Sequence, residues 1–86
     1  MEVLVTEQFE DSFDRLAEPD KEHVLNSLQE LEDNPRLPGL RVKKMADKPN
    51  VWEARASKKI RITFEMDGDA ITLRHVGQHD AVLDKP

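Results

Sequence analysis

Residues 51–79 read VWEARASKKIRITFEMDGDAITLRHVGQH, and this stretch decides the fold. Within it Ile60, Ile62, Phe64 and Met66 alternate with Arg61, Thr63 and Glu65. Successive side chains of a strand point to opposite faces, so this is a half-buried strand with one apolar and one polar side. Asp67–Gly68–Asp69 is the turn that follows, glycine supplying the positive φ of a tight hairpin. The chain returns through Ala70–Val76, with Ile71 and Leu73 set against Thr72 and Arg74. By that alternation His75 takes the side of Ile71 and Leu73, at the edge of the core. Upstream, Trp52, Ala54 and Ala56 alternate with Glu53 and Arg55, and Leu40 and Val42 with Arg41 and Lys43. The second half is predicted to be a meander of antiparallel strands, each half buried.

The first half has a different period. Val3–Thr6 is short and β-branched and reads as a strand. Thr6 then caps a helix on which Phe9, Phe13 and Leu16 recur at helical spacing. Pro19 breaks that helix, and Asp20 caps the next or sits in its first turn beside Glu22. Val24, Leu25, Leu28 and Leu31 form the second apolar stripe, and Pro35 ends it. Each helix has one apolar stripe, so both must cover the same sheet. The expected fold is α+β: two N-terminal helices packed on one face of a twisted, mainly antiparallel sheet of four to five strands. Residues 1–86 are expected to form one domain, because a chain this short buries only about 60% of its unfolded surface.

The chain has no cysteine, which excludes disulfides and thiolate metal sites. No apolar run approaches the length of a membrane span, and the acidic N-terminus lacks the basic start of a signal peptide. A cytoplasmic protein with no membrane partner is the expectation. The net charge of −5 is unevenly spread. Residues 1–35 carry eleven acids and two bases, net −9; residues 36–61 carry nine bases and two acids, net +7; residues 62–86 are net −3. Such a split predicts two faces with different tasks. The polar side of the strands gathers Arg41, Lys43, Glu53, Arg55, Arg61, Thr63, Glu65, Thr72 and Arg74 on one bare surface. A basic stripe of this kind is a footprint for phosphates even on an acidic chain. Trp52 shares the side of Ala54, so packing is its expected role. His75 and His79 could share a metal only from one helix face, and Gly77 behind a strand argues against a helix there. No metal and no cofactor are implied.

Trp52, Arg55 three positions on, Arg61 six further, the Ile62–Phe64 strand, the acidic turn 67–69, the strand Ile71–Val76 and His79 form a pattern. It resembles the RelE/ParE superfamily of bacterial toxin–antitoxin toxins, and the element order agrees over nearly the whole chain. The separation of Arg61 from His79 resembles that of the RelE branch, whose members cut mRNA in the ribosomal A site. The ParE branch inhibits DNA gyrase instead. The chain departs from the interferases in having no tyrosine, in being acidic overall, and in offering only Asp47 before the Trp52 strand. The resemblance implies a ribosome-dependent mRNA endonuclease held in check by an antitoxin, with a gyrase inhibitor or a member that only binds its antitoxin as the alternative. Cleavage by a 2′-hydroxyl needs a base, positive charge at the phosphorus oxygens and an acid for the leaving oxygen, and no metal is required if Arg and Lys supply that charge. The expected catalytic set is Arg61 and Arg55 as phosphate ligands, Glu53 as base or ion-pair partner, and His79 as acid, with Asp80 to orient it. Arg41, Lys43, Lys44, Lys58, Lys59 and Arg74 are the expected RNA-binding residues. Gly77 is expected to bend the chain so that His79 reaches the Arg61 face.

Overall fold

The computed structural model of the chain describes residues 2–45, 50–79 and 82. In chain order they form β1 (Glu2–Val5), α1 (Glu7–Asp14), α2 (Glu18–Asp33), a 3₁₀ turn (Pro38–Leu40), β2 (Lys43–Lys44), β3 (Val51–Arg55), β4 (Ile60–Asp67) and β5 (Ala70–Gln78). One five-stranded sheet runs in the order β1-β5-β4-β3-β2. Every neighbouring pair is antiparallel except β1 with β5, which is parallel. The α+β architecture read from the sequence is the architecture observed.

The start of α1 is fixed by one side chain. Thr6 is extended, its hydroxyl oxygen accepts from Phe9 N at 3.1 Å, and its O–H donates to Leu73 O at 2.8 Å. It therefore caps the helix and ties it to β5 in a single residue. Pro19 lies inside the first turn of α2, where its missing N–H costs nothing, rather than between the helices. Glu18 and Asp20 share that turn, and Ala17 takes the cap position. The β4–β5 hairpin closes on Gly68, whose φ of +60° is the sign that a two-residue type II′ turn requires at its first central position.

The core lies between the helices and one face of the sheet. Phe9, Val24 and Leu31 from the helices meet Ala54, Ile60, Ile62, Phe64, Ile71, Leu73 and Val76. Phe13, Leu16, Leu28 and Trp52 pack at its margin. Three expectations are corrected here. Leu25 is not part of the buried stripe but is 56% exposed, because α2 turns the Val24–Ser27–Leu28–Leu31 face inward. Leu40 is buried through the 3₁₀ turn and not through a strand. Arg41 follows it in the left-handed conformation, φ 47°, so no alternating strand runs from Leu40 to Lys43.

A fourth correction is His75. Between Thr63 and Phe64 the β4–β5 register slips by one: Phe64 faces Leu73, but Thr63 faces His75 and Ile62 faces Val76. Two residues, Arg74 and His75, stand opposite one, which is a β-bulge. Beyond it the alternation of β5 is inverted. His75 therefore shares the face of Thr63, away from the core, and Val76 takes the inward place.

Candidate functional site

The strand register lays out the polar face as a grid. Arg55 on β3, Arg61 on β4 and Gly77 on β5 make one row. Lys43 on β2, Glu53, Thr63 and His75 make the next. Side chains directly opposite in neighbouring strands lie about 5 Å apart at Cβ, so neighbours within a row touch.

The face is not bare. Glu53 is 3% exposed, Thr63 is fully buried and Val51, of the same parity, is 5% exposed. Glu53 Oε1 lies 3.6 Å from Arg61 Nε and 3.9 Å from Lys43 Nζ. The Arg61 guanidinium also caps the turn into β4: its Nη1 donates to Ser57 O at 2.8 Å, Ile60 O at 3.2 Å and Lys58 O at 3.3 Å. Arg55 Nε donates to the same Ser57 carbonyl at 3.3 Å. Two like charges thus stand opposite each other across β3 and β4, with one buried carboxylate between them and Lys43. Opposed like charges cost a sheet up to about 1 kcal/mol. The shared Ser57 carbonyl and Glu53 are what offset it.

Among the expected residues, Arg55, Arg61, Glu53 and Lys43 are brought together. Arg74 is on the bulge and pairs with Glu65 at 3.3 Å, one step along the same face. Lys58 and Lys59 are exposed on the β3–β4 loop whose carbonyls hold Arg61. The others diverge. Lys44 faces Trp52 in the register and so belongs to the helix side of the sheet. Arg41 lines a cleft with Pro35, Leu37, Val42, Trp52 and Met66, again on the helix side. Gly77 is not a hinge: it is paired with Arg61 inside β5, and the strand runs on to Gln78. What glycine contributes there is the lack of a side chain opposite Arg61. His79 follows in helical conformation, half buried, its N–H donating to Lys59 O at 3.1 Å. Its Nδ1 is buried with no hydrogen-bond partner among the described residues. Asp47 and Asp80 lie outside the described residues.

Sequence reasoning placed His75 on the wrong face, and a signal was there to be read. Leu73 and Val76 are both apolar but three apart, a spacing that strict alternation forbids and that one extra residue restores.

No protein-family model matches the sequence, and no curated protein matches it at a significant level. Solved structures do. The chain is similar to the toxin–antitoxin structure of RelB–RelE from Methanococcus jannaschii, at 21% identity and TM-score 0.72, over 96% of this chain and 99% of that one. It is similar to YafQ from E. coli at 10% identity and TM-score 0.78, over 94% and 96% of the two chains. A YoeB/ParE toxin from Agrobacterium tumefaciens matches at 14% identity and TM-score 0.74, over 92% and 99%. The fold is that of the RelE/ParE toxins. At such identities the backbone is what these proteins share, and this RelE-like chain carries its own surface: an acidic helical hairpin and a basic sheet face with one buried carboxylate.

The chemistry open to that face follows from its charges. Three bases around one carboxylate leave a local excess of two positive charges. Lys43 is 66% exposed at its side chain and Arg61 18%, so a phosphate would meet Lys43 first and reach Arg61 at the rim of the turn. Glu53, 4% exposed at its side chain, is an ion-pair partner that orients Arg61 and Lys43. So deep a carboxylate is poorly placed to take a proton from a bulky substrate.

Proposed function

We propose that this RelE-like chain is the toxin of a type II toxin–antitoxin pair and acts as a ribosome-dependent mRNA endonuclease. One observation carries the reading: the cross-strand pairing of Arg55 with Arg61, beside Lys43 and in the row next to His75. A sheet that gathers like charges at a cost in stability has a use for an anion there. In the proposed reaction the ribose 2′-oxygen attacks the adjacent phosphorus as it gives up its proton. The P–O5′ bond breaks, and an acid protonates the leaving 5′-oxygen. Arg61, Arg55 and Lys43 hold the charge that accumulates on the phosphorus oxygens. The proton carriers are the two imidazoles: His75, which the bulge turns to this face, and His79, anchored to the loop whose carbonyls hold Arg61. A neutral imidazole nitrogen can accept a proton and a ring N–H can donate one, so the two can divide the roles of base and acid. The partner that restrains the toxin is an antitoxin, as in the RelB–RelE complex.

A second reading is favoured by one detail. The Arg61 guanidinium is held by Glu53 and three carbonyls, which suits a structural arginine in a toxin that binds DNA gyrase or its antitoxin without cutting RNA. Single-turnover cleavage of mRNA on programmed ribosomes separates the two. The parent should cut, Arg61→Ala and His79→Ala should each slow cutting by about 10²–10⁴-fold, and His75→Ala should also slow it. A folded parent that leaves mRNA intact while blocking supercoiling by gyrase would establish the second reading.

A further inference from the structure

The helical hairpin carries a surface that neither reading uses. Val5, Phe9, Phe13, Leu25 and Leu28 line a cleft between the end of β1, α1 and α2. A second cleft continues from it, sharing Phe13 and Leu25. Val5 is 52% exposed and Leu25 56%, two of the three large apolar side chains most open to water among the described residues. The Phe9 and Phe13 rings stack at 6.3 Å between centroids and form the groove's floor. Among the described residues its lining includes four carboxylates, Glu10, Asp14, Glu18 and Glu22, against one base, Lys21. Lys21 is itself engaged, 5.8 Å above the Phe13 ring and 3.7 Å from Glu18.

An isolated exposed leucine needs no explanation, but a continuous apolar groove with an acidic rim does. Charge decides the occupant. Residues 1–35 are net −9, so an acidic segment would be repelled along the whole hairpin. An apolar floor between two helices suits a third helix with one apolar face. We infer that the groove is the docking site for a cationic amphipathic helix of a protein partner, its apolar side chains seated on Phe13 and Leu25 and its Lys and Arg residues paired with the four carboxylates. The surface lies on the opposite side of the sheet from the Arg55–Arg61 cluster, so occupancy is separate from the cleavage chemistry and independent of whether that reaction exists.

The test uses the full chain and a synthetic helical peptide of about 18 residues, leucines on one face and lysines on the other. A matched peptide carries glutamate for lysine, and a third has the lysine peptide's composition with the stripe scrambled. The lysine peptide should bind, with NMR shifts confined to residues around Val5, Phe9, Phe13, Leu25 and Leu28. Leu25→Glu and the pair Glu10→Lys with Asp14→Lys should each weaken it by about tenfold or more. Both variants lie on the surface and should keep the parent's circular dichroism spectrum. The glutamate and scrambled peptides should not bind. Binding that ignores Leu25→Glu, or that the scrambled peptide reproduces, would reduce the groove to nonspecific charge attraction and overturn the proposal. A concentration-dependent dimer of the chain alone that Leu25→Glu disperses would also overturn it, by making a second copy the occupant. Loss of mRNA cleavage by the parent would defeat the proposed reaction and leave these outcomes unchanged.

Discussion

Replacing Glu53 by glutamine keeps the shape of the side chain and removes its charge. At 3.6 Å from Arg61 Nε, in surroundings of effective dielectric about 20, the gross attraction is about 5 kcal/mol. Much of that is offset, because glutamine no longer has to be stripped of a carboxylate's hydration. Removing one partner of a fully buried pair costs about 3–5 kcal/mol, but Arg61 keeps its carbonyl acceptors and is 18% exposed at its side chain. The expected net loss is about 2 kcal/mol, or roughly 8–16 °C in Tm for a domain of this size. Lys43 lies 3.9 Å from the same oxygen, but at 66% exposure its share should stay below about 1 kcal/mol and fade in high salt. The assay is urea denaturation of parent, Glu53→Gln, Arg61→Gln and the double variant, at low and high salt. A coupling of about 1–2 kcal/mol that survives salt is expected. A coupling below about 0.3 kcal/mol, within ordinary additivity, would mean that Glu53 does not hold Arg61 and that its burial has another cause. Equal losses in Glu53→Gln and Lys43→Gln would refute the ranking of the two partners.

Four further outcomes are expected. Phe64→Ala should destabilise by about 3–5 kcal/mol in the same denaturation assay, since its ring is fully buried between helices and sheet. Thr6→Ala should cost about 1–2 kcal/mol, measured likewise, because it removes both the α1 cap and the bond to Leu73 O. Gly68→Ala should cost about 1–2 kcal/mol through its positive φ alone, since an added Cβ would meet no atom within 4 Å; a neutral change in Tm would count against the turn assignment. Leu25→Ser should change stability by less than about 0.5 kcal/mol in thermal melts, and a larger loss would show that Leu25 packs against the fold.

Local rules carry a long way in this chain. The alternation of Ile60, Ile62 and Phe64 against Arg61 and Thr63, the Gly68 turn and the Thr6 cap are each set by residues close in sequence, and all are found where they were expected. So is the pairing of helical and strand stripes, because a single apolar face can be buried only against another. The meeting of Arg55, Arg61, Glu53 and Lys43 also follows from alternation, once the strands are antiparallel neighbours. Periodicity could not say how many neighbours each position has. Glu53 is polar by its parity and buried by its surroundings, and only the assembled structure makes it an ion-pair centre and not an exposed base. Leu25 is apolar by its spacing yet left in water, because one helix line fills the core and the next has nothing above it. Arg41 and Lys44 belong to the basic block by sequence, but a left-handed backbone at Arg41 and a single strand pairing at Lys44 send them to the other side of the sheet. The bulge opposite Thr63 has the largest consequence: one unpaired residue inverts every side chain after it, which turns His75 out of the core and onto the Arg61 face.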